Sequence, residues 1–167
     1  ASLSLVRNLQ RAAELISSFK QVAVDQTTSA RRRFSLDELV REIIVTLSPT
    51  MRKASWRIET AVPPGIDFDS YPGPLGQVLT NLITNAGEAI GEKGEIVVTT
   101  DEDSSGGFVV TKIRDNGKGI PKENLHRIFE PFFTTKGLGK GTGLGLSVTV
   151  GIVRKHSGSI DIQSTEG

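Results

Sequence analysis

The sequence predicts an α/β fold, a two-layer sandwich in which helices cover one face of a mixed, mostly antiparallel sheet. Amphipathic helical segments alternate along the chain with short β-branched runs. Two of those runs, 95–100 and 108–114, flank an Asp-Ser-Ser-Gly-Gly turn that is typical of a β-hairpin. A hairpin argues against a purely parallel, doubly wound sheet, so a mixed sheet with one helical layer is expected.

The composition fits one globular domain. The 167 residues are 37% hydrophobic and 23% charged, as in chains that bury an apolar core. The net charge of +1 gives no indication of a nucleic-acid partner, and the lack of cysteine excludes disulfides and thiolate zinc sites. No apolar run approaches the roughly 20 residues that cross a bilayer, and no signal peptide is visible. We therefore expect a cytoplasmic chain that makes no membrane contact.

The first thirty residues predict a long helix, because they contain no Gly or Pro and their apolar residues recur in steps of four and three. A lone helix cannot bury such a stripe, so we expect a partner helix in a dimer or bundle, with packing onto its own domain as the alternative. The following Arg31-Arg32-Arg33 is interpreted as a solvated linker. The stripe consists of Leu5, Leu9, Ala12, Ile16, Phe19 and Ala23.

The middle of the chain predicts two further helices with a strand between them. Ser35 and Glu38 have capping-box spacing, so a helix is expected from there to about residue 47, stopped by Pro49. Residues 56–62 form a β-branched run that predicts a strand. The next helix is expected to begin near Pro72 and to end at about residue 90.

The last third predicts shorter elements. A short helix is expected after Pro121, a helix near residues 143–156 and a strand near residues 159–163. Between the two helices, residues 139–145 contain four glycines and lead directly into an apolar segment. Neither the Walker pattern nor the dinucleotide-binding pattern fits these glycines. Two interpretations remain open: a backbone that approaches a phosphate at a helix N-terminus, or a flexible loop.

Two other polar stretches favour the phosphate interpretation. Asn81 and Asn85 are one turn apart on a helix whose other face is apolar, and an amide oxygen suits Mg²⁺. Asp115 follows a β-run and precedes Gly117 and Gly119, so its carboxylate is placed to accept a hydrogen bond from an exocyclic amine such as that of adenine. The simpler alternatives are two exposed asparagines and a plain Asp-Asn-Gly turn.

A fourth stretch, 128–135, contains three of the seven phenylalanines, for which core packing is the simpler explanation. Taken in order, the four stretches resemble the N, G1, F and G2 boxes of the sensor histidine kinase ATP-binding domain. That domain belongs to the GHKL superfamily, with gyrase, the MutL proteins and the ninety-kilodalton heat-shock chaperones. The resemblance spans residues 36–167 and implies the Bergerat fold, with ATP bound between helices under a mobile lid.

The resemblance also implies roles for individual residues. Asn85 would bind Mg²⁺ and Asn81 would lie near the phosphates, which makes these two the catalytic residues. Asp115 would recognise the adenine amino group. The other implied contacts to ATP are Gly117, Gly119, Ile120, Phe129, Thr135, Lys136, Gly141, Thr142, Gly143, Leu144 and Gly145.

The implied domain organisation is a dimerisation-domain helix over 1–30, a linker over 31–35 and a catalytic domain over 36–167 without its last strand. Neither His126 nor His156 lies where the family carries its phospho-accepting histidine. The implied activity is that of an ATP-dependent protein histidine kinase. The γ-phosphoryl group would pass to a histidine on an absent helix of its own dimerisation and phosphotransfer domain, and then to the receiver-domain aspartate of a response regulator.

The full-length protein would be a homodimer, and this chain could be the cytoplasmic part of a membrane-bound sensor. Two alternatives to the kinase stay open. One is a gyrase-like ATPase, which Asn81 disfavours because an amide cannot act as a base where those relatives carry a carboxylate. The other is a nucleotide-gated binding module without phosphotransfer.

Overall fold

The computed structural model describes Leu9, Ala12 and residues 30–91, 93–103, 105, 107–137 and 141–166. Apart from Leu9 and Ala12, which are helical, the predicted helix over residues 1–30 lies outside the described residues. The described elements are β1 (Arg32–Ser35), α1 (Leu36–Ala54), β2 (Arg57–Ala61), β3 (Asp67–Ser70), α2 (Pro72–Ile90), β4 (Glu95–Glu102), β5 (Val109–Asp115), a 3₁₀ turn (Lys122–Asn124) and α3 (Gly145–Lys155).

The described strands form two sheets, of which the larger is mixed and the smaller is antiparallel. In the larger sheet, of order β2-β4-β5, β2 runs parallel to β4 while β4 and β5 form an antiparallel hairpin. In the smaller sheet, β1 and β3 pair antiparallel, with Phe34 opposite Phe68. The predicted α/β architecture with a mixed, mostly antiparallel sheet is confirmed. None of the described helices is both long and apolar enough to cross a membrane.

The core lies between the helices and the sheets. The inward side chains of β4, Ile96 and Val98, are fully buried, as is Ile83 of α2. Period-two alternation on the strand and 3.6-residue periodicity on the helix therefore supply opposite sides of one apolar layer. Gly87 allows Trp56 to pack against α2, because a Cβ at that position would lie 2.3 Å from the indole ring.

The predicted end of α1 is wrong. Pro49 lies inside α1, which continues to Ala54. A proline removes the hydrogen bond to the carbonyl four residues earlier, here that of Val45, and that turn faces solvent, where water can satisfy the carbonyl. The helix ends where Ser55 adopts a left-handed conformation (φ 58°) and the Trp56 amide donates to the Met51 carbonyl at 3.1 Å.

Two other expectations differ from the structure. Residues 159–163 form no strand. The residues that follow, 164–166, run beside the Gly119 turn, and Ser164 Oγ accepts a hydrogen bond from the Ile120 amide at 2.8 Å. The arginines 31–33 are exposed, as expected of a solvated linker, but the backbone from Arg32 onward is paired as β1. Ion pairs from Arg31 to Asp69 and from Arg33 to Asp67, both 3.2 Å, support this pairing.

Candidate nucleotide-binding site

The polar face of α2 meets the N-terminal end of α3. The Asn81 side-chain amide donates to the Gly145 carbonyl and to Thr149 Oγ1, each at 3.4 Å. Asn85 lies one turn further along α2, and a Cβ at Gly145 would lie 3.9 Å from its amide nitrogen. The two asparagines therefore share a face, as predicted, and that face borders the unpaired amides at the start of α3.

The turn before α3 depends on glycine. Gly143 has a φ of +68°, and a Cβ there would lie 2.4 Å from the carbonyl carbon of Phe132. The segments that contain Phe132 and Gly143 are also hydrogen-bonded, because the Phe132 amide donates to the Gly143 carbonyl at 2.9 Å. Thr142 Oγ1 accepts from the amide of Leu144, which is buried, at 3.2 Å. Gly139 and Lys140, part of the predicted loop, lie outside the described residues.

Asp115 stands at the end of β5 and organises the following turn. Its Oδ1 accepts a hydrogen bond from the Gly117 amide at 2.8 Å, and its side chain is exposed. The Lys118 amide donates to the Ala89 carbonyl of α2 at 3.2 Å. A Cβ at Gly117 would lie 2.7 Å from the Ala89 backbone, so glycine permits this close approach. One carboxylate oxygen of Asp115 is left available to a ligand beside the α2 face.

The second glycine of this turn is also constrained. Gly119 has a φ of +74°, and a Cβ there would lie 2.2 Å from the Thr165 carbonyl oxygen. Ile120 follows, half-buried, with its amide bonded to Ser164. The predicted site residues Gly117, Gly119 and Ile120 therefore form one turn, packed between the C-terminal end of α2 and residues 164–165.

In the segment 129–137, the Lys136 side chain contacts α2. Lys136 Nζ forms an ion pair with Glu88 Oε2, and a Cβ at Gly141 would lie 3.0 Å from Lys136 Cδ. Phe129 is half-buried beside buried Ile128, while Thr135 is exposed. The structure therefore brings Lys136 between Gly141 and α2, whereas it shows no hydrogen bond from Thr135 to another described residue.

Sequence reasoning missed two contributors to the site. Thr149 is fully buried and contacts Asn81; the only signal for it was a polar residue one turn after Gly145 in an apolar run. Phe132 adopts φ +69°, a rare value for an aromatic residue, and remains 55% exposed. Its place in a phenylalanine-rich run suggested core packing instead.

A metal ion at this site would find a suitable but sparse protein donor set. The Asn85 amide offers one neutral oxygen, which fits Mg²⁺ because that ion usually takes few protein ligands and several phosphate or water oxygens. Among the described residues there is no group of three or more His, Cys, Asp or Glu side chains that could hold a metal. The chemistry of the Asn85 side chain therefore fits a magnesium ion whose other ligands are phosphate and water oxygens.

The asparagine face, the aspartate-glycine turn and the glycine-rich start of α3 all lie at α2. In a mixed α/β sandwich, these are the features expected of a nucleotide-binding domain of the GHKL class. Residues 71–167 match the family described as histidine kinase-, DNA gyrase B- and HSP90-like ATPase. The chain belongs to this family, and within it to the ATP-binding domains of the histidine kinase type.

Similar proteins include the sensor histidine kinase ZraS of Escherichia coli O157:H7, 49% identical over 101 residues, which are 60% of this chain and 21% of that protein. The catalytic domain of histidine kinase ThkA in a nucleotide-free form is 34% identical, with a TM-score of 0.67 over 76% of this chain and 83% of that one. A second ThkA structure, in complex with the response regulator protein TrrA, is 28% identical, with a TM-score of 0.68 over 94% of this chain and 43% of that one.

The chain spans about a fifth to a quarter of the length of the curated relatives, with values of 21%, 19% and 25% for ZraS, the sensor kinase CckA of Brucella abortus and sporulation kinase A of Bacillus subtilis. These proteins are named as kinases as a whole. Their names therefore describe whole proteins, most of whose length has no counterpart in this chain.

Proposed function

We propose that this chain binds ATP with Mg²⁺ and donates the γ-phosphoryl group to a histidine of a dimerisation and phosphotransfer domain in the same full-length protein. A response-regulator aspartate would then receive the phosphoryl group. The observation that carries the proposal is the meeting of α2 with α3, where Asn81 bonds the Gly145 carbonyl at 3.4 Å and Asn85 faces the same turn. Membership of the ATPase family and similarity to a kinase that has been crystallised with a response regulator support it.

Each group has a physical role in this proposal. The Asp115 carboxylate accepts a hydrogen bond from the adenine amine, while the amides at the start of α3 and the Lys136 ammonium bind phosphate oxygens. Asn85 donates its amide oxygen to Mg²⁺, which neutralises phosphate charge when it is bound. Phosphoryl transfer depends mainly on positioning and charge neutralisation, so this chain needs no nucleophile of its own.

Asn81 supports transfer over hydrolysis. An amide cannot take a proton from water at neutral pH, and the nitrogen of this amide is directed to Gly145 and Thr149. We therefore expect bound ATP to turn over slowly in this chain alone. The full-length protein is proposed to act as a homodimer and to lie in the cytoplasm.

Nucleotide binding is tested by calorimetry on the 167-residue chain with ATP and GTP, with and without magnesium. We expect magnesium-dependent ATP binding, weakened at least tenfold by Asn85→Ala. Asp115→Asn should reduce the preference for ATP over GTP, because the remaining oxygen is held by the Gly117 amide and the position that would face the adenine amine becomes an NH₂ donor. Asp101→Asn is the matched control, since Asp101 is an exposed strand carboxylate whose ion pair, among the described residues, is with Lys112 at 3.6 Å. Absence of heat with ATP would contradict the proposal.

Transfer is tested separately with γ-labelled ATP and a full-length protein that carries the phospho-accepting histidine. Acid-labile label on that histidine is the expected result. Tight binding without label would identify a binding module, and rapid phosphate release without label would identify a gyrase-like ATPase. Either result would exclude the kinase function.

A further inference from the structure

We propose that Glu88 competes with the nucleotide phosphates for Lys136. The Glu88 carboxylate binds the Lys136 ammonium, and ATP must displace that carboxylate before Lys136 can bind phosphate. The inference rests on the proposed function, because it concerns the same phosphate site. It starts from the ion pair between Lys136 Nζ and Glu88 Oε2, which joins residues 48 apart in the sequence.

This ion pair lies beside the space proposed for the phosphates. Glu88 lies three residues after Asn85, so the two side chains project from the same side of α2. The stem of Lys136 passes the glycine turn, where a Cβ at Gly141 would be 3.0 Å from Cδ. Lys136 therefore extends from the turn to the asparagine face, across the space proposed for the phosphates.

The exposure of the pair makes exchange feasible. The Lys136 and Glu88 side chains are 37% and 41% exposed, so water can solvate each charge once the ion pair separates. Pairs of this exposure are weak, and a polyphosphate carries more negative charge than one carboxylate. Phosphate oxygens can therefore replace Glu88 as the partner of the ammonium.

Glu88 opposes binding in two ways. It occupies a cation that would otherwise be free to bind phosphate, and once released it leaves a negative charge near the phosphates. Neutralising Glu88 should therefore tighten ATP binding, whereas a glutamate that helped to bind the metal or the nucleotide would have the opposite effect. The sign of one measurement separates the two roles.

The test is calorimetric titration of the full chain with MgATP, comparing the wild type with Glu88→Gln, Lys136→Gln and the double variant. We expect Glu88→Gln to bind about two- to fivefold more tightly, the range that an exposed ion pair supports, with the gain falling at high salt. Lys136→Gln should bind more weakly, and the gain from Glu88→Gln should shrink in that background. Glu130→Gln is the matched control, since Glu130 also forms an ion pair with a basic residue, Arg127, and is about as exposed as Glu88.

The outcomes are separable. Weaker MgATP binding by Glu88→Gln, or affinity equal to that of the wild type, would overturn the competitor role while leaving the proposed function intact. No binding by any variant, the wild type included, would remove both. Urea unfolding of each variant tests whether an affinity change merely follows a change in stability.

Discussion

The glycine at the turn before α3 allows a sharp prediction, because the same substitution at two glycines should change stability in opposite directions. Gly143 has φ +68°, and a Cβ there would lie 2.4 Å from the backbone of Phe132. A left-handed conformation costs a non-glycine residue about 1–2 kcal/mol, and overpacking against atoms that cannot move adds about 1–3 kcal/mol. Gly143→Ala should therefore lower the free energy of unfolding by about 2–5 kcal/mol.

Gly151 provides the matched comparison. It lies in the interior of α3, is exposed, and would place a Cβ with no atom within 4 Å. An alanine there gains helix propensity, so Gly151→Ala should raise the free energy of unfolding by up to about 1 kcal/mol. Urea unfolding measures both variants, followed by far-ultraviolet circular dichroism and by the fluorescence of Trp56, the single tryptophan of the chain. If Gly143→Ala were as stable as the wild type, the assigned turn geometry would be refuted.

Three further substitutions test other contacts. Gly87→Ala would place a methyl group 2.3 Å from the Trp56 ring and should cost about 1–3 kcal/mol of unfolding free energy, with altered tryptophan fluorescence; an unchanged urea midpoint would contradict this packing. Asn81→Ala removes two long hydrogen bonds to α3 and should cost about 1 kcal/mol, with reduced exchange protection at Val148, whose amide donates to the Leu144 carbonyl. The Ser35 hydroxyl and then Arg41 lower the pKa of Asp37 below its usual 3.8, so its stabilising effect is complete above that value and is lost as the pH falls through the lower folded-state pKa. The stability difference between wild type and Asp37→Asn should therefore be constant near pH 7 and shrink below pH 3.8, as acid titrations of both proteins can show.

The parts of the fold that sequence predicted well are those with a strong local period. The helix from Pro72 to Ile90 and the hairpin of β4 and β5 are present because apolar spacing and turn residues agree there. β1 and β3 were missed because their pairing is non-local. Three consecutive arginines suggest a linker in the sequence, whereas in the structure Asp69 and Asp67 of the partner strand form ion pairs with Arg31 and Arg33. The end of α1 was predicted wrongly because a proline stops a helix only where the carbonyl four residues earlier cannot find another partner. Whether that carbonyl reaches water is not recorded in any local sequence pattern.

The candidate site was predictable in its residue types more than in its contacts. Asparagine spacing on one helix fixed which side chains share a face, so Asn81 and Asn85 could be paired from sequence alone. The interaction of Glu88 with Lys136 could not, because two surface charges 48 residues apart have no sequence signature. This ion pair matters because it places an anionic side chain beside the proposed phosphate site, which the two asparagines helped to predict.

The β1–β3 pairing determines where the polypeptide can swivel. Turning the chain anywhere from Arg32 to Ser35 would disrupt a register of four residue pairs and expose Phe34, which is only 7% accessible. Any rotation of this domain relative to the residues that precede it must therefore use torsion angles before Arg32. Because Phe34 belongs to the apolar core, β1 would then move as one body with the rest of the domain.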